Sequence, residues 1–284
     1  MQWDERVDIL CTGSGLGGLA TAIAAVDAGV DVLVADSACL NVGDAETNRY
    51  FGELSQDLRV PVHRAAAVEA PIRDDLAPAA PVSRRVEPFV GSRLQDWAAG
   101  CLASPYGFLY SRVREPRAVT MRSSRGESFE VASIGSIELG PEQPKFSLAD
   151  WLSAQARDRG IEVCTDSPLQ RIVFEGGRVL GAVLDTPSGR CAVRARHGVL
   201  VSTGGHELVA ACDLPETATL QVSLVRQAAS RFGRVELLTT QPQVPHTSCR
   251  PVNRHLTDAA RETRQSRSPY WRCGELHWYP PLSQ

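Results

Sequence analysis

At 284 residues, with 43% hydrophobic side chains, the chain can bury one large core or two smaller ones. A net charge of −3 gives no reason to expect nucleic acid or an anionic membrane surface as a partner, and no apolar run approaches the roughly 20 residues of a membrane span. The acidic start from Met1 to Arg6 lacks signal-peptide character, and the eight cysteines are scattered without a Cys-x-x-Cys pair or a Cys/His cluster, so a cytoplasmic protein without a metal site is expected.

The first predicted element is the apolar run Val7 to Cys11, of strand length. It feeds Thr12-Gly13-Ser14-Gly15-Leu16-Gly17-Gly18, which opens onto a helix of small residues, Ala20 to Ala28, with Gly29 as its C-terminal cap. A second strand, Val30 to Ala35, ends on Asp36. This is a β-α-β unit with glycines at G-x-G-x-x-G spacing and an acidic residue roughly 20 positions on, the pattern of a dinucleotide site. Gly13 permits the tight turn, Gly15 lets backbone amides approach a pyrophosphate, and Gly18 lets helix and strand pack closely. The helix N-terminus supplies amides and a positive dipole end. Asp36 is placed to accept hydrogen bonds from ribose hydroxyls and would repel a 2′-phosphate, which disfavours NADP.

Tyr50, Phe51, Leu54 and Leu58 recur at helical spacing, predicting an amphipathic helix over 44–58. Residues 59 to 88 are rich in proline, alanine and charge and read as an excursion over the surface, and the reading from 59 to 140 as a whole is sparse. A short helix is expected at 92–102, with Leu94, Trp97, Ala98 and Cys101 on one face. Tyr106 to Tyr110 follows as an aromatic patch that reads as core.

Ser147 with Asp150 forms a capping-box-like start to a helix that Gly160 ends. Short strands are then expected at 161–164, 169–174 and 178–184, the last two a hairpin about Glu175-Gly176-Gly177. Further strands are expected at 191–196 and 197–202. Leu220, Leu224, Ala228 and Phe232 share a face at helical spacing, predicting a helix over 215–232 and a strand at 235–239. Residues 241 to 284 hold no sustained period and read as an irregular tail.

The opening glycine motif with Asp36, the Leu148 to Val163 helix and strand, Gly177 to Val183, and Ala195 to Gly205 occur in an order that resembles the FAD-binding domain of the fumarate reductase, succinate dehydrogenase and ketosteroid dehydrogenase flavoprotein family. The resemblance covers residues 4 to about 206 and implies FAD. By position, Gly13, Gly15, Gly17 and Gly18, with Ser14 and Leu16 between them, would face the pyrophosphate, and Asp36, with Ser37 beside it, the adenosine ribose. Leu169 would offer backbone contacts to the adenine, and Thr203-Gly204-Gly205 would pass beside the cofactor.

The chain also departs from the family pattern. Residues 37 to 48 look like a shortened or lost second glycine-rich segment, and neither a substrate-capping domain nor a C-terminal flavin-holding motif is recognisable after residue 206. The fold expected is therefore α/β: a Rossmann-like FAD-binding domain over 1–210 with a parallel sheet plus an antiparallel β element, a helix-strand extension over 211–240, and an irregular tail.

Function divides into two readings. The first is an FAD-dependent oxidoreductase acting on a small molecule, steroid-like or with an unsaturated carbonyl, either compact or completed by a partner subunit or homo-oligomer. The second is a non-catalytic interaction or nucleotide-binding protein with a degenerate flavoprotein core. No catalytic residue is nominated. His206 follows the glycine pair, Tyr106 and Tyr110 are proton donors only by analogy with steroid dehydrogenases, and His255, Cys273 and His277 lie in the tail without a motif.

Overall fold

A near-continuous apolar strand, β1 (Glu5–Thr12), runs through the middle of the molecule, with Leu10 and Cys11 fully buried. Burial on both faces is what a central parallel strand requires. The computed structural model describes residues 2–13, 15–35, 42–55, 72–78, 91–104, 106–111, 118–140, 146–202 and 218–240. After β1 come α1 (Leu16–Asp27), β2 (Val32–Ala35) and α2 (Ala45–Ser55). Two short strands, β3 (Ile72–Arg73) and β4 (Ala77–Pro78), precede α3 (Gly91–Leu102), β5 (Gly107–Tyr110), β6 (Val119–Arg122) and β7 (Ser128–Leu139). Then follow α4 (Leu148–Asp158), β8 (Val163–Cys164), β9 (Leu169–Glu175), β10 (Arg178–Thr186), β11 (Gly189–Ser202), β12 (Ala218–Gln227) and β13 (Phe232–Leu238).

The strands join one sheet whose main path runs β4-β6-β7-β12-β13-β5-β11-β1-β2-β8. From β11 to β8 it is parallel, and from β5 to β4 antiparallel. β11 joins the two regions and also carries the antiparallel hairpin β9–β10 along its N-terminal half. The two strands expected at 191–196 and 197–202 are thus one strand of 14 residues. Successive side chains of a strand point to opposite faces, so Ile9 and Cys11 pack with α1 and α4 while Leu10 packs with α2, α3 and the hairpin.

Local chemistry sets the helix ends. The Ser147 side chain accepts from Asp150 N–H at 3.2 Å as the cap of α4, and Gly160, at φ +66°, ends it. Arg159, just past α4, makes a two-pronged ion pair with Asp27 of α1 at 2.8 and 3.1 Å, joining the two helices.

Thr47 couples α2 to the hairpin. Its fully buried hydroxyl donates to Asp44 Oδ2 at 2.7 Å and accepts Ile172 N–H at 2.8 Å. The hydrogen bonds from Thr47 hold the Asp44 carboxyl below its ordinary value of 3.8. Thr47→Val is expected to lower unfolding free energy by about 1–3 kcal/mol in urea titration, because the Ile172 amide loses its partner. A lowered carboxyl pKa stabilises above the unfolded value and is lost as pH falls through the folded one, so the difference from the parent chain should narrow below pH 3.8.

Two expectations are corrected here. The helix over 215–232 is strand: β12 pairs with β7 across ten residues, from Ala218 opposite Leu139 to Gln227 opposite Phe129, and with β13 on its other side. Leucines four apart satisfy a period of 2 as well as one of 3.6, and Val222 completes the buried row Leu220, Val222, Leu224. Within the sparsely read stretch 59–140, the expected helix at 92–102 stands as α3 and the aromatic patch as the buried β5, while β6 and β7 add strands the sequence did not announce, with Phe129 buried; residues 59–71 and 79–90 lie outside the described set. β12 and β13 belong to the same compact unit as the glycine motif, so residues 218–238 extend the sheet itself.

Candidate cofactor site

The glycine turn sits where β1 ends between its two parallel neighbours. Thr12 Oγ1 donates to Leu200 O of β11 at 3.1 Å, and Gly13 N–H donates to Ala35 O of β2 at 2.6 Å. Gly13 adopts φ +96°, backbone that only glycine enters without strain. Gly15 then caps α1 with φ −56° and ψ 156° and offers no side-chain bond, and no acidic residue lies in the first helical turn. The first turn of α1 thus carries no carboxylate of its own to compete for its amides, a condition under which a helix N-terminus attracts a phosphate.

Gly17 and Gly18 answer to contacts inside the chain. A Cβ on Gly17 would stand 2.6 Å from Gly107 O and 2.9 Å from Tyr106 O, so α1 rests directly on β5. A Cβ on Gly18 would stand 2.3 Å from Gly13 O, so the helix closes back on its own turn. Thr21 reinforces this first turn, its hydroxyl donating to Gly17 O at 2.9 Å. Gly13 and residues 15 to 20 are all buried, so contact with a ligand falls to the backbone there.

Of the remaining sequence-predicted positions, Leu16 lies at the start of α1, 7% exposed, and Leu169 begins β9 opposite Leu184, 5% exposed. Ser14, Asp36, Ser37, Thr203, Gly204 and Gly205 lie outside the described residues, as do His206, His255, Cys273 and His277. The structure does place Ala35 and Ser202, the residues just before Asp36 and Thr203, at strand ends beside the turn, since Thr12 is paired to Ala35 in β2 and Val201 in β11. One sheet edge thus holds all three segments' points of approach.

Tyr106 and Tyr110 are core, at 0% and 8% exposure, with Tyr110 edge-on to Phe108 at 5.4 Å. Cys11, in the strand before the turn, has its thiol pushed up to about 12 by burial and is a packing residue rather than a nucleophile. Among the described residues no cluster of three or more His, Cys, Asp or Glu could hold a metal, and no helix is long and apolar enough to cross a membrane.

Sequence reasoning named Trp97 only as a helix-face residue. It did not find a charged cluster on the antiparallel half of the sheet: Arg73, Arg234 and the buried Glu236, with Arg226 paired to Glu130 nearby in sequence order on β12 and β7. Reading β12 as helix removed the alternation that would have placed Arg234 and Glu236 on one face of a strand.

The residues present suit the diphosphate half of a dinucleotide: a glycine-specific turn, an uncapped helix N-terminus, and a close-packed helix behind it. The family model for an FAD binding domain matches residues 94–230, a stretch that begins after the glycine turn. No curated protein matches the sequence.

Several solved flavoproteins align with the chain. One is a 3-ketosteroid-Δ4-(5α)-dehydrogenase from Rhodococcus jostii RHA1, at 18% identity and TM-score 0.30, covering 71% of this chain and 46% of that one. Another is a 3-ketosteroid Δ1-dehydrogenase from Sterolibacterium denitrificans, at 13% identity and TM-score 0.30, covering 69% and 47%. A third, a flavocytochrome c3 fumarate reductase, aligns at 16% identity and TM-score 0.29, covering 68% and 33%. The chain spans a third to just under half of the length of these structures. The family match over residues 94–230, just under half of the chain, is to an FAD binding domain, and the cofactor it indicates is FAD.

Proposed function

We propose that the chain is an FAD-dependent oxidoreductase that binds the ADP half of FAD at the β1–α1 turn. The observation that carries this reading is the turn itself, which joins Gly13 in glycine-only backbone to a helix N-terminus without a side-chain cap or an acidic first turn. FAD, when bound, supplies two-electron exchange with a substrate carbon. The chain's own part is to hold the pyrophosphate on backbone amides, to accept the ribose hydroxyls on Asp36, and to lead Thr203-Gly204-Gly205 past the cofactor from the end of β11. A steroid-like or unsaturated carbonyl substrate, and a partner subunit or second copy completing the flavin end, are the finer parts of the proposal. They rest on the sequence resemblance and on the shortened segment at 37–48.

The test is the visible spectrum of the purified protein, with acid release and identification of any chromophore. Stoichiometric FAD is expected. A colourless protein that takes up no added FAD would overturn the reading in favour of a non-catalytic interaction module. Gly15→Val sharpens the test, because φ −56° with ψ 156° is backbone that valine adopts readily, while its branched side chain would stand where the pyrophosphate passes. The variant should retain its circular dichroism and lose FAD. Asp36→Ala should weaken FAD binding by about 1–3 kcal/mol, the cost of lost hydrogen bonds to a charged group; an unchanged dissociation constant would move the ribose contact elsewhere.

A further inference from the structure

A cleft of about 420 Å³ opens between α3 and the antiparallel half of the sheet, within the size range of small-molecule sites. Its walls are aromatic: Trp97, whose indole N–H donates to Phe232 O at 2.9 Å, stands edge-on to Phe129 with ring centroids 5.3 Å apart. Two guanidiniums lie against these rings, Arg234 at 4.8 Å from the Trp97 centroid and Arg73 at 4.4 Å from that of Phe129. Both are held from beneath by the fully buried Glu236 carboxylate. Oε1 accepts from Arg234 at 2.7 and 2.8 Å, and Oε2 lies 3.4 Å from Arg73 Nε.

The arginine side chains are only about a fifth exposed, and Arg234 spends Nε and Nη2 on Glu236. Its Nη1 makes no bond among the described residues and points past Gly100 of α3, where a Cβ would come within 3.3 Å. A glycine inside a helix costs about 1 kcal/mol relative to alanine, so Gly100 gives up helix stability and leaves the guanidinium uncovered.

At the mouth the charge reverses: Asp96 is exposed and Glu127 partly so, against the single cation Arg125. Of the lining charges, Arg73 and Arg234 lie inward and the carboxylates Asp96 and Glu127 outward beside Arg125; Glu236 and Asp75, the latter on Arg73 Nε at 3.2 Å, pair with the inner arginines and are not part of the lining. A simple anion would meet the outer carboxylates and a simple cation the inner arginines. A ligand with separated charges meets neither penalty.

We infer that this cleft binds a planar zwitterion, its carboxylate on Arg234 and Arg73, its ring beside the Trp97–Phe129 pair, and its ammonium toward Asp96 and Glu127. Aromatic amino acids and amino-substituted aromatic acids are the chemical class. The site is independent of the FAD reading, since no lining residue belongs to the glycine turn.

The probe is 4-(aminomethyl)benzoate, titrated calorimetrically into the full chain beside benzoate, benzylamine and inorganic phosphate. The zwitterion should bind at least 10-fold more tightly than any of the other three, and parity with one of them would overturn the assignment. Gly100→Leu fills the space beside Nη1 without touching Glu236 and favours the helix. It should abolish binding with the circular dichroism of the folded chain retained, and a folded Gly100→Leu protein that binds the zwitterion as before would sink the proposal. Asp96→Asn, on the exposed face of α3, should weaken the zwitterion several-fold and leave benzoate unaltered or bound more tightly. Equal loss for both ligands would remove the ammonium subsite.

Discussion

Gly18→Ala should destabilise the protein by about 3 kcal/mol and strip it of FAD at the same time. The added Cβ would sit 2.3 Å from Gly13 O, a distance no carbon–oxygen contact tolerates, and the atom it meets is backbone. A flexible side chain could swing aside, but a carbonyl in the turn moves only if the turn moves, and overpacking of this kind lies at the upper end of the roughly 1–3 kcal/mol range. Gly13 N–H is bonded to Ala35 O and Thr12 to Leu200 O, so displacing Gly13 also disturbs the registry of β1 with both parallel neighbours. Gly17→Ala should behave similarly but less severely, its clash with Gly107 O being at 2.6 Å and its effect falling on β5 rather than on the turn. Urea unfolding with parallel measurement of FAD content decides the matter. A Gly18→Ala protein of parental stability and full FAD content would mean that α1 does not close on Gly13 as described.

The contrast with Gly15→Val separates two jobs that one motif performs. Substitution at Gly15 should remove the ligand and spare the fold, whereas substitution at Gly18 should damage both. A glycine motif read from spacing alone does not distinguish them, because the distinction lies in the ordinary backbone angles at Gly15 and in the Gly13 carbonyl that stands opposite the missing Cβ of Gly18.

The parts of the fold legible in sequence are those where local and tertiary preferences agree. β1, α1, the Ser147 cap and the Gly176–Gly177 hairpin each carry a periodicity or a turn residue that admits one structure, and each is present, although α1 starts at Leu16, four residues before the expected Ala20, and takes Gly17 and Gly18 into its first turn. β7 and β12 were opaque for a physical reason. Their ten-residue pairing joins segments about 90 positions apart, and neither strand has a local signal strong enough to fix it. Val131, Ala132 and Ile134 alternate imperfectly around Gly135, whose φ is +157° and beside which the Trp151 ring lies where a Cβ would need 2.8 Å, so the strand's period is broken where α4 packs on it. The candidate cofactor site was legible through its glycines because backbone conformation is written in residue type. The charged cluster on β13 was not, since Arg234 and Glu236 gain meaning only when β3, 160 residues earlier, brings Arg73 alongside.

That cluster carries the other large effect. Glu236→Ala should cost about 3–5 kcal/mol, the penalty for removing one partner from a buried ionic group. Its side chain is 0% exposed and is the shared counter-charge of two guanidiniums that are each about 80% buried, so truncation leaves Arg234 without its carboxylate and Arg73 with Asp75 alone. The aromatic rings under Arg73 and Arg234 offset only part of this, about 0.5–2 kcal/mol each. Hydrogen bonding alone does not explain the position: Glu236→Gln keeps the shape and an acceptor for Arg234 yet loses the charge, and should cost less than the alanine variant while still lowering stability. Converting the triad together, with Glu236→Leu, Arg73→Leu and Arg234→Met, should recover most of the loss, because well-packed apolar groups of similar volume replace ions without a desolvation penalty. Unfolding midpoints in urea at constant m-value give all three numbers. If Glu236→Ala costs under about 1 kcal/mol, the carboxylate is solvated rather than buried, and the ordering of Arg73 and Arg234 over Phe129 and Trp97 must come from the rings alone.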